Sequence, residues 1–321
     1  MNDHPLPPFG PEHPFGPPPT GPDFGRSPGP PPMMDTSVYR RKWLDIPYAH
    51  QSPTQCLDIY LPDEGEGPFP VIAVIHGGAW MMGDKRDVQQ LPMLEGRKRG
   101  YAVVCIGYRL SWEAIFPAQI FDCKAAIRFI RGNAERYGFD PRRIAAWGGS
   151  AGGHLSALVG TSAGVKDLED LSMGSPDQDS SVQAVVDWFG PTEDFLKMDE
   201  ELKASGSGVP DHSTPGSPES MLLGRLITEV PELVRWVSPM TYVSANTPPF
   251  LIQHGLKDQL VPVEQSIHFV AALEKAAGKE RVTLELLPGV YHADPAFETP
   301  ENTERVLDFL DSNLNVTNNL K

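Results

Sequence analysis

From about residue 37 onward, short and nearly continuous apolar runs alternate with segments of helical periodicity. The runs are "PVIAVIHG", "YAVVCIGYR", "RIAAWGG", "VQAVVDWFG", "PFLIQHG" and "VTLELLP"; between them lie "QIFDCKAAIRFIRGNAERYG", "AGGHLSALVG", "PVEQSIHFVAALEKAAG" and "PENTERVLDFLDSNL". A strand that stays apolar at every position must be covered on both faces, and parallel neighbours need a long crossover that a helix supplies. The pattern therefore predicts an α/β chain, with a mostly parallel central sheet and helices on both faces. The first run, "CLDIYLP", alternates more and no helix follows it, so it is expected as an antiparallel edge strand. Residues 1–36 are too rich in Pro and Gly to sustain helix or strand and read as a disordered or polyproline-like tail, with Phe9, Phe15 and Phe24 in similar "FG" settings. The remaining stretch, 37–321, is the size of one large α/β domain.

One stretch breaks the alternation. Between "VVDWFG" and "PFLIQHG" the chain runs far beyond the roughly 2–6 residues usual for such a connection. Its middle, "KASGSGVPDHSTPGSPES", is loop-like, while "SMLLGRLI" and "PELVRWV" have the look of short helices. An insertion here overhangs the C-terminal ends of the strands, where ligands bind in open α/β sheets. Residues of about 191–245 are accordingly read as a cap, with a merely elaborated loop as the alternative.

The formal net charge of -15 argues against nucleic acid or an anionic membrane as a partner bound by bulk electrostatics. Cys56, Cys105 and Cys123 form neither a CxxC pair nor a Cys/His cluster, so neither a disulfide framework nor a zinc site is expected. No apolar run approaches the roughly 18 residues of a bilayer span, and no basic-then-apolar leader is visible, which points to the cytoplasm.

The chemistry centres on "WGGSAGG", which carries Gly-x-Ser-x-Gly at Gly148, Ser150 and Gly152 between a strand and a helix. In that context the serine occupies a strained turn at a helix N-terminus, where backbone N–H groups favour developing negative charge. A serine hydroxyl needs a base. Of nine histidines, His4 and His13 fall in the tail, His50 precedes the core and His212 sits in the cap; His154 and His268 lie within helices and read as structural. His76 and His254 each follow a strand. His292, in the loop after the last strand, can reach across the strand ends to Ser150 and is the expected base. Asp258, just past the penultimate strand, is the expected acceptor that orients it, with Asp294 as a local competitor. "HGGAW" ends another strand, so Gly78 and Ala79 are expected to donate to an oxyanion together with Ala151, and His76 to anchor that loop. Trp80 is placed on the acyl side and Trp188 on the pocket wall, with core or rim packing as the alternative for both.

With these elements in order, the chain resembles the serine esterases of the α/β-hydrolase superfamily over about residues 38–314. "HGGAW", "GGSAGGHLSALVGTS", "VQAVVDWFGPTEDF", "SPMTYV" and "HGLKDQLVPVEQS" resemble the bacterial group that includes bifunctional feruloyl and acetyl-xylan esterases. The order Ser, Asp, His is the one this fold implies. The resemblance implies hydrolysis of esters on plant hemicellulose or of related aryl and short acyl esters, so a small-molecule or oligosaccharide ester is the expected substrate; the expected two-step acyl transfer needs no metal or organic cofactor. Two departures stand out: "HGGA" and "GGSAGG" where hormone-sensitive-lipase relatives carry "HGGG" and "GDSAGG", and Ala293 where relatives often place glycine after the histidine. An arylformamidase-like amide hydrolase and a non-catalytic binding protein on the same scaffold are the rival readings.

Overall fold

A computed structural model describes residues 32–315. The strands are β1 (Lys42–Pro47), β2 (Cys56–Tyr60), β3 (Phe69–Ile75), β4 (Ala102–Ile106), β5 (Phe139–Gly149), β6 (Ala184–Trp188), β7 (Phe250–Gly255) and β8 (Val282–Leu287). The helices are α1 (Leu91–Leu94), α2 (Ala118–Gly132), α3 (Ala134–Tyr137), α4 (Ala151–Thr161), α5 (Met198–Ser205), α6 (Pro218–Leu223), α7 (Pro231–Val237), α8 (Glu264–Ala277) and α9 (Pro300–Leu314). One eight-stranded sheet runs in the order β1-β2-β4-β3-β5-β6-β7-β8. From β4 to β8 every pairing is parallel; β2 alone is reversed, antiparallel to both β1 and β4. The fold is that of an α/β-hydrolase, with helices on both faces of the sheet.

Successive residues of the central strands face different layers. Val71, Ala73 and Ile75 of β3 join the core beneath α2, α4 and α8, through Ile127, Leu158 and Phe269 among others. Ile72 and Val74 face the opposite layer, with Met93 of α1 and Val306, Leu307 and Leu310 of α9. That two-sided burial is why the strands read as unbroken apolar runs.

The sequence reading is corrected at one edge. "CLDIYLP" supplies an antiparallel strand, but the edge is β1, "KWLDIP", which shields β2. The register of β1 slips between Trp43 and Ile46, where Asp45 takes a left-handed φ of 54°. Residues 1–31, with Phe9, Phe15 and Phe24, lie outside the described residues. Within the stretch read as tail, Met33 bridges Asp87 and Met34 is buried against the second layer, because an apolar side chain there has a core to join. No described helix is long and apolar enough to cross a membrane.

Between β6 and β7 the chain builds α5, α6 and α7 with short 3-10 turns. "PESMLL" and "PELVRWV" start with Pro in the first helical turn, where its missing N–H costs nothing. The α5 helix, "MDEELKAS", carries three acidic residues in its first turn, favourable to the helix dipole. Met198, Leu222, Leu223 and Val237 bury this segment into the main core, so it is packed onto the body.

His212 ties it down further. Its backbone N–H donates to Asp199 Oδ1, Nε2 lies 2.9 Å from the Leu260 carbonyl, and Nδ1 makes an ion-pair contact of 3.0 Å with Glu219. Burial works against charge on this ring, but the Glu219 carboxylate, with Asp199 and Asp211, overrides it and pushes the imidazole up to about 9. A histidine raised on folding stabilises fully below its ordinary value of about 6.5, and that contribution is lost as pH rises through about 9. The Tm of the wild type is therefore expected to fall between pH 6.5 and 9.5 by several degrees more than that of His212→Asn. Parallel melting curves for the two proteins check it; identical slopes would remove His212 as the cause.

Candidate active site

Three segments converge at the C-terminal ends of the strands: the turn from β5 into α4, the loop after β7 and the loop after β8. Ser150 occupies the first with φ 55° and ψ -123°, a conformation that costs a non-glycine residue about 1–3 kcal/mol and persists only when its surroundings impose it. Here they do. The Ser150 N–H donates to the Trp188 carbonyl at 2.8 Å, and the Ser150 carbonyl accepts from His154 N–H at 2.9 Å. Glycine is required at the flanks by close approach: a Cβ on Gly152 would stand 2.1 Å from the Ile75 carbonyl oxygen, and one on Gly148 only 2.4 Å from Gly152.

The structure brings Ser150, His292 and Asp258 into one line. His292 Nε2 lies 2.9 Å from Ser150 Oγ, and Nδ1 lies 2.7 Å from Asp258 Oδ2. A carboxylate only accepts, so Nδ1 carries the hydrogen and Nε2 presents its lone pair to the serine hydroxyl. Asp258 is 3 % exposed. Burial alone would raise its carboxyl, but the His292 charge and hydrogen bonds from His254 and His292 outweigh it and hold Asp258 well below the ordinary carboxylate range. Its other oxygen, Oδ1, accepts from Leu260 N–H and Val261 N–H, both at 2.9 Å. The competitor Asp294 instead caps the short turn after His292, accepting from Ala296 N–H at 2.9 Å.

His254 was recognised in the sequence only as following a strand, and the structure shows what it touches. Fully buried, it takes a hydrogen bond from Ser266 at Nδ1 (2.7 Å), and its Nε2–H is shared between the Val261 carbonyl (3.0 Å) and Asp258 Oδ2 (3.2 Å). Asp258 thus receives two imidazoles on one oxygen. The i,i+4 spacing of His254 and Asp258 across a strand end is the signal that could have revealed it.

The loop expected to receive an oxyanion runs from His76 to Trp80. Gly78, Ala79 and Trp80 all have left-handed φ values, of 106°, 54° and 56°. Among the described residues no acceptor is paired with the N–H of Gly78, Ala79 or Ala151, and Ala151 heads α4, where helix geometry leaves its N–H without an intrahelical partner. Three donors without partners beside a serine hydroxyl suit an oxygen that gains negative charge. His76 stacks on Tyr108 at 4.3 Å with Nδ1 2.8 Å from the Gly77 carbonyl, and burial pushes it down to about 4.

The two tryptophans assigned to the substrate are packed instead into the core. Trp80 is 2 % exposed and rests against His154 and Phe195; Trp188 is 3 % exposed and rests against Trp147 and Phe297. Trp80 lies in the loop after β3 and Trp188 is the last residue of β6, and both rings are enclosed by the aromatic neighbours named. Beside the base lies Phe189, itself buried, whose ring meets His292 edge-on at 4.8 Å. Exposed apolar groups near the site are Met82, whose side chain backs the Gly78 position, Trp112, whose indole donates to the Met81 carbonyl, and Tyr291, next to His292.

Ala293 adopts φ 50°, in the region that favours glycine. Ala293→Gly is expected to relieve about 1 kcal/mol of strain. Tm should rise slightly with kcat within about twofold, as a melting curve and an initial-rate assay will show; a fall in Tm would mean that the methyl group packs more than it strains.

Among the described residues one group, Glu193, Glu201 and His268, has potential metal-ligating atoms within 4.8 Å of one another. Lys197 already pairs with Glu193, and Gln265 donates to Glu201 at 2.9 Å. These residues join the inserted segment to α8, apart from Ser150.

Comparison with known proteins adds an independent line. The family profile BD-FAE matches residues 57–273. "Esterase LipC" of Mycobacterium tuberculosis is 36% identical over 264 residues, covering 79% of this chain and 60% of its own length; the chain spans about 60% of the length of such curated relatives. Among solved structures, a truncated carbohydrate esterase from gut microbiota superposes with a TM-score of 0.77 at 34% identity, covering 88% of this chain and 100% of that one. An acetyl ester-xyloside bifunctional hydrolase from Caldicellulosiruptor lactoaceticus superposes with a TM-score of 0.65 at 25% identity, covering 87% and 98%.

Proposed function

Because the chain belongs to the BD-FAE family, we propose that it is a serine carboxylic-ester hydrolase that acts through an acyl-enzyme on Ser150. The observation that carries this reading is the relay from Asp258 through His292 to Ser150, with 2.7 Å and 2.9 Å contacts and the tautomer fixed by the buried carboxylate. His292 Nε2 takes the Ser150 proton as Oγ attacks the ester carbonyl, and the Gly78, Ala79 and Ala151 N–H groups stabilise the oxyanion. The imidazolium then returns the proton to the leaving alcohol. Water, deprotonated by the same nitrogen, releases the acid and restores the serine.

For the substrate we favour short acyl esters, or feruloyl and acetyl esters of plant-polysaccharide type. Support comes from similarity to a carbohydrate esterase and an acetyl ester-xyloside hydrolase, and from Met82, Trp112 and Tyr291, which offer a sugar or aryl ring apolar surface beside the site. The test is kcat/KM across acetyl, butyryl, feruloyl and long-chain esters and an aryl formamide. Highest values for acetylated or feruloylated xylo-oligosaccharides are expected. A preference for the formamide would overturn the ester reading, and a long-chain preference would overturn the polysaccharide one.

A further inference from the structure

The geometry points to His154 as a positioning residue that sets the oxyanion loop through the Trp80 indole and binds that setting to the inserted segment. The inference rests on the serine-hydrolase reading above and deepens it. His154 is fully buried one turn into α4, away from the proton relay. Its Nε2 lies 2.8 Å from the Val237 carbonyl at the end of α7, and its Nδ1 accepts from Trp80 Nε1–H at 3.2 Å. A carbonyl offers no hydrogen and an indole N–H no lone pair, so the two partners impose one neutral tautomer. Burial keeps the ring neutral, its value pushed down to about 4.

Trp80 is where this matters. It follows Ala79, whose N–H is an oxyanion donor, and both residues hold left-handed φ values that an L side chain adopts only under constraint. The constraints are visible on both ends of Trp80. Its carbonyl accepts from Ser111 N–H at 2.8 Å and Ser111 Oγ at 3.1 Å; its indole is fixed by His154, with Phe195 of the insertion 5.7 Å from both rings. Loss of the indole bond frees Ala79 and Trp80 to relax toward negative φ, which swings the Ala79 N–H off the oxyanion. The binding of a ground-state ester, whose carbonyl carries little charge, depends less on that donor.

The experiment uses the full chain with Trp80→Phe, which keeps the ring and removes the N–H, His154→Leu, His154→Gln, the Trp80→Phe/His154→Leu double variant and Ser150→Ala. Measured are kcat, KM, the inhibition constant of a trifluoromethyl ketone that forms an oxyanion on the serine, and Tm. Trp80→Phe and His154→Leu are expected to lower kcat about tenfold, with KM within about twofold and the ketone weakened by the same factor as kcat. The double variant should be no worse than the poorer single one. His154→Gln, whose amide can both accept from the indole and donate to the carbonyl, should recover most of kcat. Unchanged kcat and ketone affinity in Trp80→Phe, with only Tm lowered, would reduce the pair to packing and overturn the inference; if His154→Leu does not fold, Trp80→Phe and His154→Gln decide alone. Ester hydrolysis that survives in Ser150→Ala would defeat the serine-hydrolase reading itself, a separate failure.

Discussion

Ser150→Ala is expected to abolish measurable ester hydrolysis, lowering kcat by about 10⁶-fold while the protein remains folded. The size follows from what the hydroxyl does. With no nucleophile at the elbow, His292 has nothing to deprotonate, and only the oxyanion donors and substrate binding remain to assist water. Folding should survive, because the strained φ of 55° is imposed by backbone contacts: Ser150 N–H on the Trp188 carbonyl, and the close packing of Gly148 and Gly152. Alanine carries the same Cβ, so its backbone strain is similar. Initial rates on a short acyl aryl ester, with circular dichroism and Tm as controls, check both parts.

The second large effect is Asp258→Asn, expected to lower kcat about 10⁴-fold with little change in KM. The structure specifies why an isosteric change does this. Asp258 Oδ1 is held by two backbone donors, Leu260 N–H and Val261 N–H, so an amide at 258 keeps its carbonyl oxygen there. Its NH₂ must then face the two imidazoles that now contact Oδ2, His292 at 2.7 Å and His254 at 3.2 Å. A donor against His292 Nδ1 forces the hydrogen onto Nε2, and the base arrives at Ser150 already protonated. His254 meets the same donor and loses the acceptor that Nε2–H shares with Val261. The kcat of Asp258→Asn against wild type at neutral pH tests it. A loss below about tenfold would mean that Asp258 does not set the His292 tautomer.

Much of this was legible in the chain because its chemistry is written in local patterns. Gly-x-Ser-x-Gly between a strand and a helix fixes where the nucleophile stands, and loops after later strands can only open at the same edge of a parallel sheet. That is how Asp258 and His292 could be named beside Ser150, and how the long connection between β6 and β7 could be recognised as an insertion. What was not legible depends on which way a side chain turns. Trp80 and Trp188 sit next to functional residues, and adjacency alone suggests a pocket wall; only the three-dimensional path shows both rings turning inward. The β1 strand escaped because none of its residues is fully buried, so no apolar run marks it. His154 was hidden for a further reason: it works on an indole from a different loop, 74 positions away, and that relation leaves no periodic trace. His254 left only its four-residue spacing from Asp258.

The central claim is that Ser150 is the nucleophile and that His292 activates it. The most direct measurement treats the full chain with a fluorophosphonate and follows it by intact mass and peptide mapping. A single adduct on Ser150, lost in His292→Ala, is the predicted result. Labelling at another residue, or undiminished labelling of Ser150 without His292, would contradict it.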